Sequence, residues 1–309
     1  MAIDVTALPT PAVIETLDYE AVLASLRADL LRLYPAAAEV IDLESEPLTK
    51  LLQVAAYREL LIRARINDAA RAVLLPWAVG TDLDNLAARY DLARLPGEDD
   101  DRLRARTLIG YHALSAAGSP ASWRLRALSQ SNDIRQADVW ADRPGRVKIA
   151  LLARVAATAY QLTPAQAQIG YALFGPHPQS GQAWRAASAQ DPIVTSAEAA
   201  LLADDVRPLT VEVDVTAATV RPVEVTATLV HPPAQDGALL RARATQRLQA
   251  LAAGAAFRVD LTRAAITAAL MGDGIRDVVL TSPAADVPAG PGEIVAITGA
   301  NLATQARND

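Results

Sequence analysis

A run of four acidic residues, Glu98 to Asp101, is the first candidate for chemistry in this chain. Carboxylate oxygens bind hard cations, so the run could supply half of a metal site. A calcium loop, however, places its acids at alternate positions around a central glycine, and the three consecutive aspartates lack that spacing. Acids in the first turn of a helix also accept bonds from its free N–H groups and complement its dipole. We therefore interpret the run as the start of a helix.

Other reactive groups are few. The three histidines, His112, His177 and His231, have no second histidine or carboxylate at metal-ligand spacing, and HExxH is absent. The chain has no cysteine, which excludes disulfides, thiolate nucleophiles and cysteine-bound metals. The glycine turns at 272–274 and 290–292 lack the spacing of a phosphate loop, and no serine lies in a G-x-S-x-G elbow. The sequence thus predicts no catalytic, metal-binding or cofactor-binding residue, no cofactor and no enzymatic activity.

Composition narrows the classes of partner. Hydrophobic residues make up 51% of the chain and aromatic residues 4%, which favours helices packed closely through small side chains. The formal net charge is -6 and basic residues alternate with acidic ones, so we expect no nucleic-acid partner. No apolar run approaches the roughly 20 residues of a membrane helix, and the first residues carry acids where a signal peptide carries bases. We expect a soluble protein without a membrane partner or an export signal.

Residues 1–130 have a helical pattern. Apolar residues recur at helical spacing from Leu17 to Leu33, and a longer helix is expected from Pro47 to Leu75. Thr81 is expected to cap the following helix. Ser119-Pro120 places a capping residue before a proline at the first helical position, so another helix is expected there.

The long helix carries more apolar surface than one core requires. A helix that lies on a single core needs an apolar stripe of about 100°, and the arc here is wider. Either the helix lies at the centre of this chain's own bundle, or a helix from another chain covers part of the arc. The candidate interface residues are Leu51, Leu52, Val54, Tyr57, Leu60, Leu61 and Ala64.

After residue 130 the apolar period changes from 3.6 to 2. Alternation on both sides of Asp142 to Gly145 predicts a β-hairpin, and alternation from Val211 to Leu229 predicts two strands or one long bent strand. Helices are expected from Asp236 to Ala253 and from Leu261 to Met271, followed by two further strands.

Residues 155–195 are the least regular, because prolines and glycines are scattered through them. We expect a short helix from Pro164 to Phe174 in a segment that is otherwise loop. Thr195 or Ser196 is then expected to cap a helix over Ala197 to Leu202.

The predicted fold class is an α+β multidomain protein, with an N-terminal helical region followed by two small α+β units in tandem. The expected domains are 1–130, the helical region; 131–217, the first α+β unit, with an insertion at about 155–195; and 218–309, the second α+β unit.

Several sequence blocks resemble the baseplate J-like family of contractile phage tails. The blocks G-T-D-L-D-x-L-A, R-x-x-G-E-x-D-x-x-L-R-x-R and A-L-S-x-A-G-[ST]-P stand at Gly80–Ala87, Arg94–Arg106 and Ala113–Pro120. Further along, D-x-R-P-L-T stands at Asp205–Thr210 and V-x-L-x-x-P-x-x-D at Val278–Asp286. The blocks follow the family order over nearly the whole chain, and residues 155–195 form a longer connection than the family pattern implies.

The resemblance implies a structural baseplate wedge subunit of the virion, made in the host cytoplasm. Two copies would combine with one copy of a tail-protein-I-like wedge subunit through a helical bundle. Neighbouring wedges would form a six-fold ring around the hub and spike proteins, and a lysozyme-like wedge protein would link that ring to the sheath. The subunit would take part in the rearrangement that triggers sheath contraction, through contacts that its small α+β units form.

Two alternatives stay open at this stage. The same structural role could belong to a tailocin or to a phage-derived contractile injection system, which neighbouring genes would distinguish. The chain could instead be a tail-associated protein that acts on cell walls or binds carbohydrate. The low aromatic content and the missing acid–base pairs argue against that second alternative.

Overall fold

The computed structural model describes residues 9, 11–43, 45–113, 118–203, 206–207, 210–272 and 274–307. The chain divides into two compact units. The first, which we call the helical unit, comprises Met1–Arg94 and Glu98–Thr107; the second, which we call the sheet unit, comprises Leu95–Gly97 and Leu108–Asp309. Helices followed by two sheets confirm the predicted α+β multidomain class. The domain boundaries at 130 and 217 stay a prediction.

The helical unit is built from helices of unequal length. They are α1 (Tyr19–Leu33), α2 (Pro47–Ala72), α3 (Gly80–Ala88) and the first part of α4 (Asp100–Ala113), with a short 3-10 turn at Pro35–Glu39. The side chain of Asp18 caps α1 by accepting bonds from the next turn's backbone. The long helix α2 begins at the predicted proline and ends three residues before the predicted end.

Polar contacts anchor one face of α2 beside α1. Asn67 is buried; its side-chain nitrogen donates to the Glu15 carbonyl (2.8 Å) and its oxygen accepts from the Glu15 N–H (3.0 Å). Near the other end, the hydroxyl of buried Thr49 donates to the Ile41 carbonyl (2.8 Å). Both ends of this face are thus fixed to the segments that flank α1.

The start of α3 differs from the prediction. The helix begins at Gly80, with Val79 in the capping position, so the prediction that Thr81 is the cap is wrong. Gly80 has a positive φ of 54°, which glycine adopts without strain, and its N–H donates to the carboxylate of Asp100 (3.0 Å). The cap therefore comes from a distant residue. The predicted start at Ser119-Pro120 is confirmed, because the Ser119 hydroxyl accepts from the Ser122 N–H.

The first sheet of the sheet unit confirms the predicted hairpin. Its strands are β1 (Ile134–Arg143), β2 (Arg146–Thr158), β3 (Gln182–Ala186) and β4 (Glu212–Ala217). The strands β1 and β3 pair antiparallel with successive parts of β2, and β4 pairs parallel with it. Helices α5 (Pro120–Leu128) and α7 (Pro192–Leu201) contribute to the sheet's core, which includes Trp123, Ile134, Ile149, Leu151, Val194 and Leu201.

The second sheet has β5 (Thr219–His231) at its centre, with β6 (Asp277–Ser282) antiparallel and β7 (Glu293–Ala306) parallel to it. Only Ala218 separates β4 from β5, so the alternation from 211 to 229 forms two strands. Helices α8 (Gly237–Ala253) and α9 (Arg263–Leu270) lie near their predicted positions. The core between helices and sheet includes Val225, Leu229, Leu240, Leu248, Ile266 and Leu270.

The expectation of loop over 155–195 is wrong, apart from the helix α6 (Pro164–Phe174), which is confirmed. The segment also contains the end of β2, all of β3 and the start of α7. The helix α7 begins at Pro192, so neither Thr195 nor Ser196 caps it. Asp191 precedes the helix, and its carboxylate accepts from Arg185 (2.5 and 2.7 Å) and from the Ser188 N–H (2.6 Å), which fixes the turn that leads into α7. The bond from Arg185 lowers the pKa of the Asp191 carboxyl.

A buried carboxylate joins the two sheets within the sheet unit. Asp138 on β1 accepts from Arg258 Nε (2.7 Å) and from the Gly292 N–H (2.9 Å). Beside it, the Gln136 side chain donates to the Ala255 carbonyl (2.8 Å). A buried charge needs such partners to be stable. Because Asp138 belongs to the first sheet and its partners flank strands of the second, this contact holds the two sheets together.

The contact between α6 and β3 generates the first prediction. A Cβ added to buried Gly170 would overlap the carbonyl oxygen of Trp184, which belongs to the backbone and has little freedom to move. We expect Gly170→Ala to lower the free energy of unfolding by about 1–3 kcal/mol, the usual cost of overpacking. Urea unfolding of the full chain measures it. Gln168→Ala, on the exposed side of the same helix, is the control, and equal stability of the two variants would contradict the packing.

Candidate partner-binding surface

The acidic run forms structural ion pairs. The side chain of Glu98 is fully buried, and Arg106 Nη1 donates to both of its oxygens (2.8 and 3.0 Å). Arg106 also donates to the Ala93 carbonyl (3.0 Å), and Arg102 Nε lies 3.4 Å from Glu98. A buried carboxylate that is held by two guanidinium groups is already satisfied and has little capacity left for a cation.

The three aspartates organise the start of α4, as the sequence predicts. Asp99 accepts from the Arg102 N–H (2.8 Å), and Asp101 pairs with Arg104 (2.6 Å). Asp100 accepts the Gly80 N–H, and this bond, with help from a neighbouring arginine, lowers the pKa of its carboxyl. Among the described residues, no three histidine or acidic side chains form a group that could hold a metal ion.

The ion pairs at the start of α4 also connect two of the sequence blocks that resemble the family. Arg94 lies 2.7 Å from both Asp84 and Asp100, and its Nη1 donates to the Glu98 carbonyl (3.1 Å). Residues of the Gly80–Ala87 and Arg94–Arg106 blocks therefore contact each other and fix α3 against α4. Residues 114–117 of the third block, and 205, 208 and 209 of the fourth, lie outside the described part of the chain.

The histidines lie in separate elements. His112 is exposed on α4, with its ring edge-on to Tyr111. The Nδ1 atom of His177 accepts the Gln179 N–H, and the His177 ring packs against the ring of Trp184. His231 is buried at the end of β5, next to the carbonyl of the following proline. The three histidines therefore do not come together in one site.

A cavity of about 560 Å³ lies in the sheet unit, between α6, α8 and β7. Small and apolar side chains line most of it, together with Arg135 and Arg154. Its lining contains no carboxylate and no histidine, so it lacks the pair of groups that general acid–base chemistry needs.

The outward side of α2 exposes large apolar residues. Of the seven predicted interface residues, four are exposed and three, Leu52, Leu60 and Ala64, are half-buried. The prediction omitted two exposed isoleucines, which the i, i+4 spacing of Ile62 and Ile66 could have revealed. Six large side chains are each 44–65% exposed: Leu51, Val54, Tyr57, Leu61, Ile62 and Ile66. We call these six, with the residues between them, the outer face of α2.

The outer face consists of two apolar stripes with arginines between them. Because successive residues on a helix are about 100° apart, Val54, Tyr57 and Leu61 form one stripe, and Leu51, Ile62 and Ile66 form the other. Arg58 and Arg65 lie between the stripes, and both are exposed. Buried Thr49, Ala56 and Asn67 lie on the opposite side of the helix.

Comparison with known proteins identifies the class. The sequence model described as the Baseplate J-like N-terminal domain matches residues 44–100, a range that includes α2 and α3. The chain is also similar to baseplate protein J of Escherichia phage P2, with 33% identity over 306 residues and 92% of each chain covered. These similarities define a structural protein of the phage tail baseplate. The chain belongs to the baseplate protein J family, and the predicted resemblance is confirmed.

Within the described ranges, no helix has both the length and the apolar character needed to cross a membrane.

The buried acid generates the second prediction. We expect Glu98→Ala to lower the free energy of unfolding by about 3–5 kcal/mol, because it leaves the guanidinium of Arg106 buried without its carboxylate. Asp101→Ala is the matched control from the same run. Its side chain is 95% exposed, so the loss of its pair with Arg104 should change stability much less than Glu98→Ala does. Thermal unfolding of both variants tests this. A destabilised Asp101 variant beside an intact Glu98 variant would refute it.

Proposed function

We propose that this chain is a wedge subunit of the baseplate and that the outer face of α2 binds helices of neighbouring subunits. The observation that carries the proposal is the exposure of six large apolar side chains on one helix face. Contiguous exposed apolar surface of this kind is typical of protein–protein interaction sites. The family match includes this helix, and membership of a baseplate family supplies the setting in which subunits would cover it.

The free energies of burial and of association indicate that the outer face is one of several contact surfaces in the assembly. Complete burial of one large apolar side chain is worth about 1.5–3 kcal/mol, so covering six half-exposed ones contributes on the order of 5–9 kcal/mol. Association costs an estimated 4–15 kcal/mol in lost translational and rotational freedom. The outer face alone would therefore give weak binding, and a stable wedge needs other surfaces as well.

In the proposed assembly, two copies of this chain combine with one copy of a tail-protein-I-like wedge subunit. Neighbouring wedges then form a six-fold ring around the hub and spike, and a lysozyme-like wedge protein links that ring to the sheath. The role is structural and non-enzymatic, which agrees with a cavity that has no acid–base pair in its lining. Since Asp138 joins the two sheets, the sheet unit would move as a rigid body when the sheath contracts.

Co-expression with the tail-protein-I-like protein of the same phage tests this role. We expect the wild-type chain to co-elute with that protein in size-exclusion chromatography. The variant Val54→Ser/Leu61→Ser/Ile62→Ser should lose at least about 100-fold in affinity, because about 1.4 kcal/mol corresponds to a tenfold change. Its fold should persist, because all three side chains are exposed.

The control for that experiment is Leu239→Ser/Val259→Ser/Val279→Ser, which changes three similarly exposed apolar residues of the sheet unit. It should co-elute as the wild type does. If the α2 variant also co-elutes with unchanged affinity, the outer face is not the binding surface and the proposal fails.

A further inference from the structure

Two arginines at the centre of the outer face have no partner within the described part of the chain. Neither Arg58 nor Arg65 takes part in a hydrogen bond or an ion pair there. Their neighbours on the same helix differ. Arg63 bonds to Glu59 and Glu15, and the Arg71 guanidinium lies 3.6 Å from Asp68. Arg63 and Arg71, which lie outside the gap between the stripes, are thus paired with acids of this chain. Arg58 and Arg65, which lie within the gap, have no such partner in the described part of the chain.

The spacing of these arginines is that of a helix–helix contact. Seven residues are two helical turns, about 10.5 Å, so Arg58 and Arg65 project from the same side of α2. A helix that packs along both apolar stripes must also cover the gap between them. Burying an uncompensated charge costs several kcal/mol, which would cancel much of the gain from the apolar side chains. The occupant therefore has to bring negative charge to these two positions.

A second copy of the same helix does not meet this requirement. On the outer face the charged groups between the stripes are arginines. When the outer faces of two α2 helices are aligned at their centres, Arg58 and Arg65 meet arginines of the second copy, whether the helices run parallel or antiparallel. The nearby acids Glu59 and Asp68 lie close to arginines of their own helix. Like charges brought together in this way disfavour a partner by several kcal/mol.

We propose that the outer face of α2 selects an amphipathic helix of a different subunit, which carries two carboxylates one heptad apart between apolar residues. The carboxylates pair with Arg58 and Arg65, and the apolar residues cover the two stripes. The inference rests on the proposed wedge role and adds the chemistry of the partner. It assigns this face to the other wedge subunit, so contacts between the two copies of this chain lie elsewhere. Selection then works by attraction of the acidic helix and repulsion of a second copy.

Synthetic helices provide the probe. One labelled peptide of about three heptads has leucine at the core positions and two glutamates seven residues apart at the centre; a second has lysines in place of those glutamates. Fluorescence anisotropy with the full-length chain measures both affinities. We expect the wild type to bind the glutamate peptide at least about 100-fold more tightly than the lysine peptide. Each of the two arginine–glutamate pairs should account for about tenfold of that difference in affinity.

Charge reversal supplies the decisive comparison. Arg58→Glu/Arg65→Glu should reverse the preference, so that the variant binds the lysine peptide and loses the glutamate peptide. Arg241→Glu/Arg243→Glu, which changes two exposed arginines of α8, is the matched control and should keep the wild-type preference. The inference is overturned if the glutamate peptide fails to bind the wild type, if both peptides bind equally, or if the α2 reversal has no effect.

Failure of this inference can be distinguished from failure of the wedge role. If Arg58→Glu/Arg65→Glu co-elutes normally with the tail-protein-I-like protein while the α2 serine variant does not, the apolar face is the interface but the arginines do not select the partner. If the serine variant also co-elutes, the proposed wedge surface itself is wrong. Self-association of the wild type that the reversal abolishes would assign the face to a second copy and overturn the inference.

Discussion

The length of α2 is the constraint on which the rest of this molecule depends. Its 26 residues extend about 39 Å, whereas the 15 residues of α1 beside it extend about 22 Å. One shorter helix can cover a single side of the longer one, and buried Asn67 and Thr49 fix which side that is. The opposite side keeps its apolar residues at the surface. A baseplate subunit needs such a surface, because it acts through contact with other chains.

The blocks that carry the family resemblance hold this helical unit in shape. Gly80, Asp84, Arg94, Glu98 and Asp100 are distributed over two blocks of sequence, yet they converge in one network of ion pairs and backbone bonds. The acids that look like half of a metal site are occupied by arginines. The strongest motif of this chain therefore positions helices α3 and α4, whereas the surface that we propose for partner binding lies on α2.

Local rules were sufficient where one residue type determines the local structure. Proline at the first helical position predicted the start of α2, and a serine cap followed by proline predicted the start of α5. The change of the apolar period predicted the β1–β2 hairpin. They failed where a distant residue supplies the missing bond. Asp100 satisfies the first N–H of α3, so α3 starts before Thr81. The expectation of loop over 155–195 failed because most of its prolines and glycines stand at the ends of short elements, whereas Gly170 lies inside α6 where the helix packs against β3.

The sequence by itself determined the class of fold, the family, and the excess of apolar residues on α2, since each of these depends on residue type and spacing along the chain. Only the tertiary structure decided which apolar residues are covered, because that depends on where α1 ends and which side of α2 it packs against. It also separated the internally paired arginines of α2 from Arg58 and Arg65, which have no partner in the described part of the chain. Charge pairing requires distances in space, and spacing along the sequence does not supply them.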